Sequence, residues 1–124
     1  MTKIGIIRCE KNENKCPLTA CFTCLEQKTQ AFKDYEQTTL AGVFTCRCDQ
    51  DNVEDLAKIL KAKGAEAIHV PTCLFANKVD GQWIMEGGGL CDRLDSLLER
   101  MRQATGLPCV MGSAHLPEGF APEI

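Results

Sequence analysis

Cysteines follow three of the short apolar stretches in this sequence, at the point where each stretch ends. Cys9 ends KIGIIRC, Cys46 and Cys48 end AGVFTCRC, and Cys73 ends AIHVPTC. Each stretch reads as a strand, and the segments between them carry the apolar spacing of helices. Strands that alternate with helices predict right-handed crossovers and a parallel sheet. Because the carboxyl ends of parallel strands meet at one edge, we expect these thiols to lie close together.

The whole pattern predicts an α/β fold: a four-stranded parallel sheet with helices on both faces, as in a flavodoxin-like or Rossmann-like three-layer sandwich. Strands are expected over about 3–8, 38–45, 65–70 and 107–112. Helices are expected after Pro17, from a capping box of Asp51 and Glu54, and over about 91–104. A hairpin is expected around Asp80-Gly81. No linker divides the 124 residues, so we expect one domain over 1–124.

Nine cysteines narrow the class of protein. The amino end has no long apolar segment of the secretory type, and no apolar run reaches the roughly 18 residues that cross a bilayer. We therefore expect a cytoplasmic protein that does not contact a membrane. Thiols stay reduced there, so a cysteine-rich chain indicates metal binding or catalysis rather than disulfides. The formal net charge of −3, without a basic stripe, argues against nucleic-acid binding.

Eight side chains are candidate metal ligands, because thiolates and imidazoles bind soft and borderline metal ions. They are Cys9, Cys16, Cys21, Cys46, Cys48, Cys73, Cys91 and His115. Cys16, Cys21 and Cys24 have the spacing C-x4-C-x2-C, which plant-type ferredoxins use for three cluster ligands. Cys46 and Cys48 precede a predicted helix start, where anions such as thiolates are favoured. These features predict a thiolate metal centre at the sheet edge.

One further cysteine and one further histidine could also bind a metal, but we interpret both as structural residues. Cys109 lies inside the last predicted strand and is expected to be a core residue. His69 alternates with apolar neighbours in the third predicted strand, so we expect a structural histidine. Neither residue is assigned to the site.

The number of candidate thiols bears on the identity of the cofactor. Seven thiols exceed the four ligands of one tetrahedral ion, so we predict an iron–sulfur cluster for electron transfer with a redox partner protein, or for redox sensing. A structural zinc site is the first alternative. A metal-free thiol redox enzyme using Cys21 with Cys24, or Cys46 with Cys48, is the second. We favour binding or electron transfer over catalysis.

The sequence also resembles the CGGC-domain proteins, a group of small prokaryotic proteins described as metal binders. The resemblance runs over nearly the whole length. It rests on IGIIRCE at 4–10, Cys16, Cys21-Phe22, Phe44-Thr45-Cys46, Thr72-Cys73, Cys91 and the region of His115. The signature of that family places two glycines between two cysteines, whereas here Arg47 alone separates Cys46 from Cys48. The resemblance implies a metal centre that includes Cys46 and Cys48.

Overall fold

The computed structural model of the protein describes residues 2–85, 88–117 and 119–122; the remaining six positions of the predicted domain, 1, 86, 87, 118, 123 and 124, lie outside this part. Its strands are β1 (Thr2–Cys9), β2 (Thr38–Cys46), β3 (Ala67–Val70), β4 (Asn77–Val79), β5 (Gln82–Ile84) and β6 (Cys109–Met111). Its helices are α1 (Thr19–Gln27), α2 (Val53–Ala62) and α3 (Leu94–Thr105). A parallel sheet has the strand order β2-β1-β3-β6, and β4 and β5 form the predicted hairpin. The α/β prediction is confirmed.

Helices cover both faces of the sheet, as predicted. Ile4 and Ile6 of β1 pack with Leu25 of α1, and all three are buried. Ile7 and Cys9 point to the opposite face and join the core formed with α2 and α3. Successive side chains of a strand alternate in direction, so β1 contributes to both cores. Each of these buried aliphatic side chains stabilises the fold by roughly 1.5–3 kcal/mol relative to exposure.

The pairing of β1 with β2 contains one irregularity. Ile4 pairs with Leu40, and the register then shifts by one, which leaves Ala41 as an extra residue in β2. Such a bulge lets the two strands continue their pairing in a new register. Beyond it, Cys9 pairs with Cys46 at the carboxyl ends of both strands.

The start of α2 differs from the predicted capping box. The N-cap residue is Asn52, and its side chain makes no capping hydrogen bond. The carboxylates of Asp51 and Glu54 instead accept hydrogen bonds from Arg100 of α3, at 2.8 Å and 2.6 Å. The capping prediction is wrong because a guanidinium from a distant helix satisfies both carboxylates, and this contact is not visible in the local sequence.

The start of α3 lies three residues later than predicted. Before the helix, the chain runs beside the segment that follows β3: Leu90 N–H donates to the Cys73 carbonyl at 2.9 Å, and Cys91 N–H donates to the Leu74 carbonyl at 3.0 Å. These bonds hold Cys91 in an extended loop, so the helix begins only at Leu94. Among the described helices, none combines the length and the apolar character needed to cross a membrane.

Candidate functional site

The cysteines that the sequence places at strand ends gather at the carboxyl edge of the sheet, on two sides of it. All nine cysteines are free thiols. One group, which we call the rim cluster, consists of Cys9, Cys46, Cys48 and Cys91. The other predicted ligands, Cys16, Cys21, Cys73 and His115, line a cleft beside α1.

The rim cluster is built on a pair of neighbouring strands. Cys9 and Cys46 are buried register partners, and both face the core formed with α2 and α3. Cys91 is half-buried and packs against the same core. Cys48 is exposed, two residues after the end of β2. The cluster therefore reaches from the core to the surface.

The thiols of the rim cluster affect each other's ionisation. Burial, together with the nearby thiols of Cys48, Cys91 and Cys9, raises the pKa of Cys46 to about 11, while Arg93 acts in the opposite direction. Burial also raises the pKa of Cys91, against the effect of a hydrogen bond from the backbone of Arg93. The raised pKa values of Cys46 and Cys91 favour their protonated forms at neutral pH. A metal cation removes that obstacle because it binds and stabilises thiolates.

The donor chemistry of the rim cluster fits a thiolate centre, but the side chains are not assembled around one point. Within residues 2–85, 88–117 and 119–122, no three His, Cys, Asp or Glu side chains are placed so that they could hold one metal ion. Cys48 and Cys91 lie in loops, whereas Cys9 and Cys46 end strands. Any ion shared by three or more of these thiols thus requires their side chains to move closer together than they lie in this structure. The ligand roles of all eight residues stay predictions.

Charged side chains hold the loop that carries Cys48. Glu10 accepts a hydrogen bond from the Cys48 N–H at 2.8 Å. Arg47 donates two hydrogen bonds to the carboxylate of Glu13, at 2.9 Å and 2.8 Å. From the other side, Arg93 donates to the Cys48 carbonyl at 3.4 Å. The loop after β1 and the start of α3 therefore fix the loop after β2.

The cleft beside α1 has a volume of about 610 Å³. Cys21 Sγ lies 3.0 Å from Ser113 Oγ, and Asn12 donates a hydrogen bond to Cys73 Sγ at 3.0 Å. Burial raises the pKa of Cys21, and it raises that of Cys73 to about 11. His115 is exposed at the cleft. Cys16 and Cys21 therefore lie on the α1 side, whereas Cys73 also packs against the core that contains Cys9 and Cys46.

The family model of the CGGC domain matches residues 3–114. The chain belongs to the CGGC domain family. The resemblance predicted from the motifs is therefore confirmed.

A curated relative of this CGGC domain comes from Methanocaldococcus jannaschii, where it is described as the uncharacterized protein MJ0582. It is 38% identical over 80 residues. The match covers 59% of this chain and 62% of the relative, so the chain spans less than two thirds of it. No solved structure matches the chain.

The single residue between the two signature cysteines of this CGGC domain, Arg47, makes a specific contact in the structure. Where the family has two glycines, Arg47 lies between Cys46 and Cys48 and forms an ion pair with Glu13. Glycine has no side chain with which to make such a contact. In this member the turn between the two cysteines is therefore tied to the loop after β1.

Cys109 and His69, which the sequence assigned to the core rather than to the metal site, are both buried in the core. Cys109 is 2% exposed in β6, as the strand pattern predicts. His69 is fully buried, with Nδ1 2.8 Å from the Gly112 carbonyl and Nε2 2.8 Å from the Tyr35 hydroxyl. Both ring nitrogens are hydrogen-bonded, which confirms a structural histidine.

Sequence reasoning missed three residues at these sites: Glu10, Asn12 and Arg93. Glu10 follows Cys9 directly, and a carboxylate beside a strand-end thiol was a signal that could have been used. Arg93, two residues after Cys91, is likewise a charged residue close to a candidate ligand. Nothing in the local sequence marks Asn12, because its contact with Cys73 joins residues that are 61 positions apart.

Proposed function

We propose that this CGGC domain binds a metal centre through the thiolates of the rim cluster, and that the centre is an iron–sulfur cluster used in electron transfer or redox sensing. The proposal depends on one observation: the pairing of Cys9 with Cys46 on one face of the sheet, with Cys48 and Cys91 within electrostatic reach. Four cysteine thiolates are the usual ligand set of such a cluster.

Each residue of the rim cluster has a defined part in this proposal. Cys9 and Cys46 supply rigid, buried ligands because both end strands of the central sheet. Cys48 and Cys91 supply the ligands that close on the centre, since both lie in loops. A bound cluster supplies reversible one-electron chemistry. The exposure of Cys48 supports contact with a redox partner protein, because it brings the cluster to the surface.

Zinc is the second candidate, because a set of four thiolates is also a common structural zinc site. In that case the ion stabilises the loops at the sheet edge and carries no electrons. The same four residues would hold it. The two candidates therefore differ in the identity of the metal and share the site.

The thiol redox alternatives receive less support. Reactive dithiols need a thiol whose pKa is lowered, whereas burial raises the pKa of Cys21 and of Cys46. Cys24 lies one turn from Cys21 on α1 and is half-buried. A CGGC domain of this geometry is better suited to hold a metal than to exchange disulfides.

The deciding experiment is anaerobic purification followed by metal and sulfide analysis and an absorption spectrum. We expect iron and sulfide together with broad visible absorbance from thiolate–iron charge transfer. A colourless protein with one zinc per chain would replace the cluster by zinc at the same site. If neither metal is retained, even after reconstitution with iron, sulfide or zinc, the proposal is wrong.

Matched cysteine variants locate the site. Cys46→Ser should lower metal content strongly, because it removes a buried strand-end ligand. Cys109→Ala is the control, since Cys109 is also buried in a strand but lies at the amino end of β6. Loss of metal from the control variant, or full retention in Cys46→Ser, would contradict the assignment.

A further inference from the structure

The cleft beside α1 lies where a doubly wound sheet binds its ligands. In the strand order β2-β1-β3-β6, the chain leaves β1 towards β2 on one side, and β3 occupies the other side. The order reverses between β1 and β3. The loops that follow these two strands separate at such a point and leave a crevice at the carboxyl edge. Asn12 and Cys16 from the first loop, and Thr72 and Cys73 from the second, line the cleft.

The volume and lining of the cleft suit a small organic molecule. Its volume of about 610 Å³ falls within the range of small-molecule sites. Leu18 and Trp83 are among its apolar lining residues. None of the described residues that line it is an aspartate or glutamate. The described lining therefore has no carboxylate that would attract a cation or repel an anion.

The hairpin of β4 and β5 supplies a positive charge beside an aromatic ring. Lys78 Nζ lies 5.8 Å from the centre of the Trp83 ring, and both residues line the cleft. Lys78 forms no ion pair with any acidic residue in the described part of the chain. This pair can bind a planar anion, with the ring of Trp83 against its apolar body and Lys78 against its charged end.

Asn12 supplies a hydrogen-bond acceptor that its surroundings leave unused. Its amide nitrogen donates to Cys73 Sγ, while its Oδ1 is buried and has no partner among the described residues. A buried acceptor without a donor lowers stability by about 1–3 kcal/mol. A ligand with a hydroxyl or N–H group at this point would satisfy the acceptor.

We propose that this cleft binds a small organic anion that has a planar apolar body and a hydrogen-bond donor. Lys78 binds the anionic group, Trp83 contacts the planar body, and Asn12 Oδ1 accepts the hydrogen bond. None of the four thiols of the rim cluster is among the described residues that line the cleft, although Cys73 and Trp83 of the cleft also pack against the core that contains Cys9 and Cys46. Anion binding in the cleft does not rest on the proposed metal function.

Three probes test the proposed chemistry: 4-hydroxybenzoate, benzoate and benzylammonium. Each is titrated into the ¹⁵N-labelled protein, and the backbone shifts of Asn12, Cys73, Lys78 and Ser113 are followed. We expect both carboxylates to saturate these shifts and benzylammonium to leave them unchanged. We expect 4-hydroxybenzoate to bind about threefold or more tightly than benzoate, because one additional hydrogen bond forms. Absence of saturable shifts at these residues, or equal binding of all three probes, would overturn the proposal.

Two variants separate the contributions of the ligand groups. Lys78→Glu should weaken both carboxylates by roughly fivefold, whereas Lys58→Glu, the same charge change on the exposed side of α2, should not. Asn12→Leu should abolish the preference for the hydroxyl while the protein still binds benzoate. If Lys58→Glu weakens binding as much as Lys78→Glu, the anion is bound by overall charge and not by this cleft. Should Asn12→Leu fail to fold, Asn12→Ala provides the same test, because alanine also lacks the acceptor and has a smaller side chain.

Discussion

The carboxylate of Glu10 accepts a hydrogen bond from the backbone N–H of Cys48, at 2.8 Å. Glu10 immediately follows Cys9, so the residue after one strand-end thiol orients the loop that carries another. Through this bond the loops after β1 and β2 take one fixed relative position. The rim cluster is thus supported by groups that are not themselves predicted ligands.

Removing this support should weaken metal binding. We expect Glu10→Ala to lower the metal affinity of the rim cluster roughly tenfold, as observed for outer-shell partners in general. Glu10→Gln is the matched control, because its amide oxygen still accepts the bond from Cys48. Competition with a chromophoric zinc chelator measures both variants. Equal affinities for the alanine variant and the unmodified protein would show that the bond does not position Cys48.

Gly89 offers a second test of loop position. A Cβ atom there would overlap the Leu74 carbonyl oxygen and the Cα of Phe75, which are rigid backbone atoms. Gly89→Ala should therefore displace the segment that leads to Cys91 and lower metal content. Gly106→Ala is the control: Gly106 has φ +71 at the end of α3, so this change strains the backbone without touching the rim cluster. Metal analysis should separate the two variants, and equal loss in both would indicate general destabilisation.

The buried imidazole of His69 makes stability depend on pH. Burial lowers its pKa to about 4, whereas the unfolded chain has the ordinary value of about 6.5. Between these values the unfolded state binds a proton that the folded state excludes. The free energy of unfolding should therefore fall as pH decreases from 6.5 towards 4, by up to about 1.4 kcal/mol per pH unit, with no effect of this group above 6.5.

Urea unfolding at several pH values between 7 and 4.5 checks this expectation. His69→Gln should reduce the slope, because it removes the titrating group. His115→Gln should retain the slope, since His115 is exposed. If the two variants show the same pH dependence, the acid sensitivity comes from carboxylates and not from His69.

The contact of Gly5 with α2 yields a prediction for the core. A Cβ atom at Gly5 would lie 2.9 Å from Leu60 Cδ1, closer than packed side chains allow. Gly5→Ala should destabilise the protein by about 1–3 kcal/mol, and Leu60→Val should compensate in part by freeing space. Denaturant unfolding of the two single variants and the double variant measures the coupling. Additive losses would mean that Leu60 already has room to turn away.

The sequence predicted the elements of the fold because their signals are local. Periodic apolar residues and the Asp80-Gly81 turn depend on neighbours along the chain. The prediction that strand-end cysteines share one edge followed from the parallel sheet. Which face each thiol takes depends on register and alternation, and this placed Cys9 with Cys46 but left Cys16 and Cys21 beside α1.

The supporting contacts of the site could not be predicted in this way. Arg100 binds Asp51 across 49 positions, and Asn12 binds Cys73 across 61. Such pairs form only when distant elements pack together, and their residue types are common on any surface. The same reason explains why a capping box that is well formed in sequence does not cap α2.

The extra residue Ala41 in β2 decides which side chains meet at the end of the strands. If the pairing of Thr2 with Thr38 continued unbroken, Cys9 would stand opposite Thr45, and Cys46 would point to the α1 side. Straightening β2 at its present length would therefore separate the two thiols, whereas deleting one residue of β2 together with the bulge would keep Cys46 opposite Cys9. With the bulge, Cys46 must lie eight residues after Thr38, the first residue of β2, in order to face Cys9. Homologues without the bulge should carry the cysteine that corresponds to Cys46 one position closer to the start of that strand.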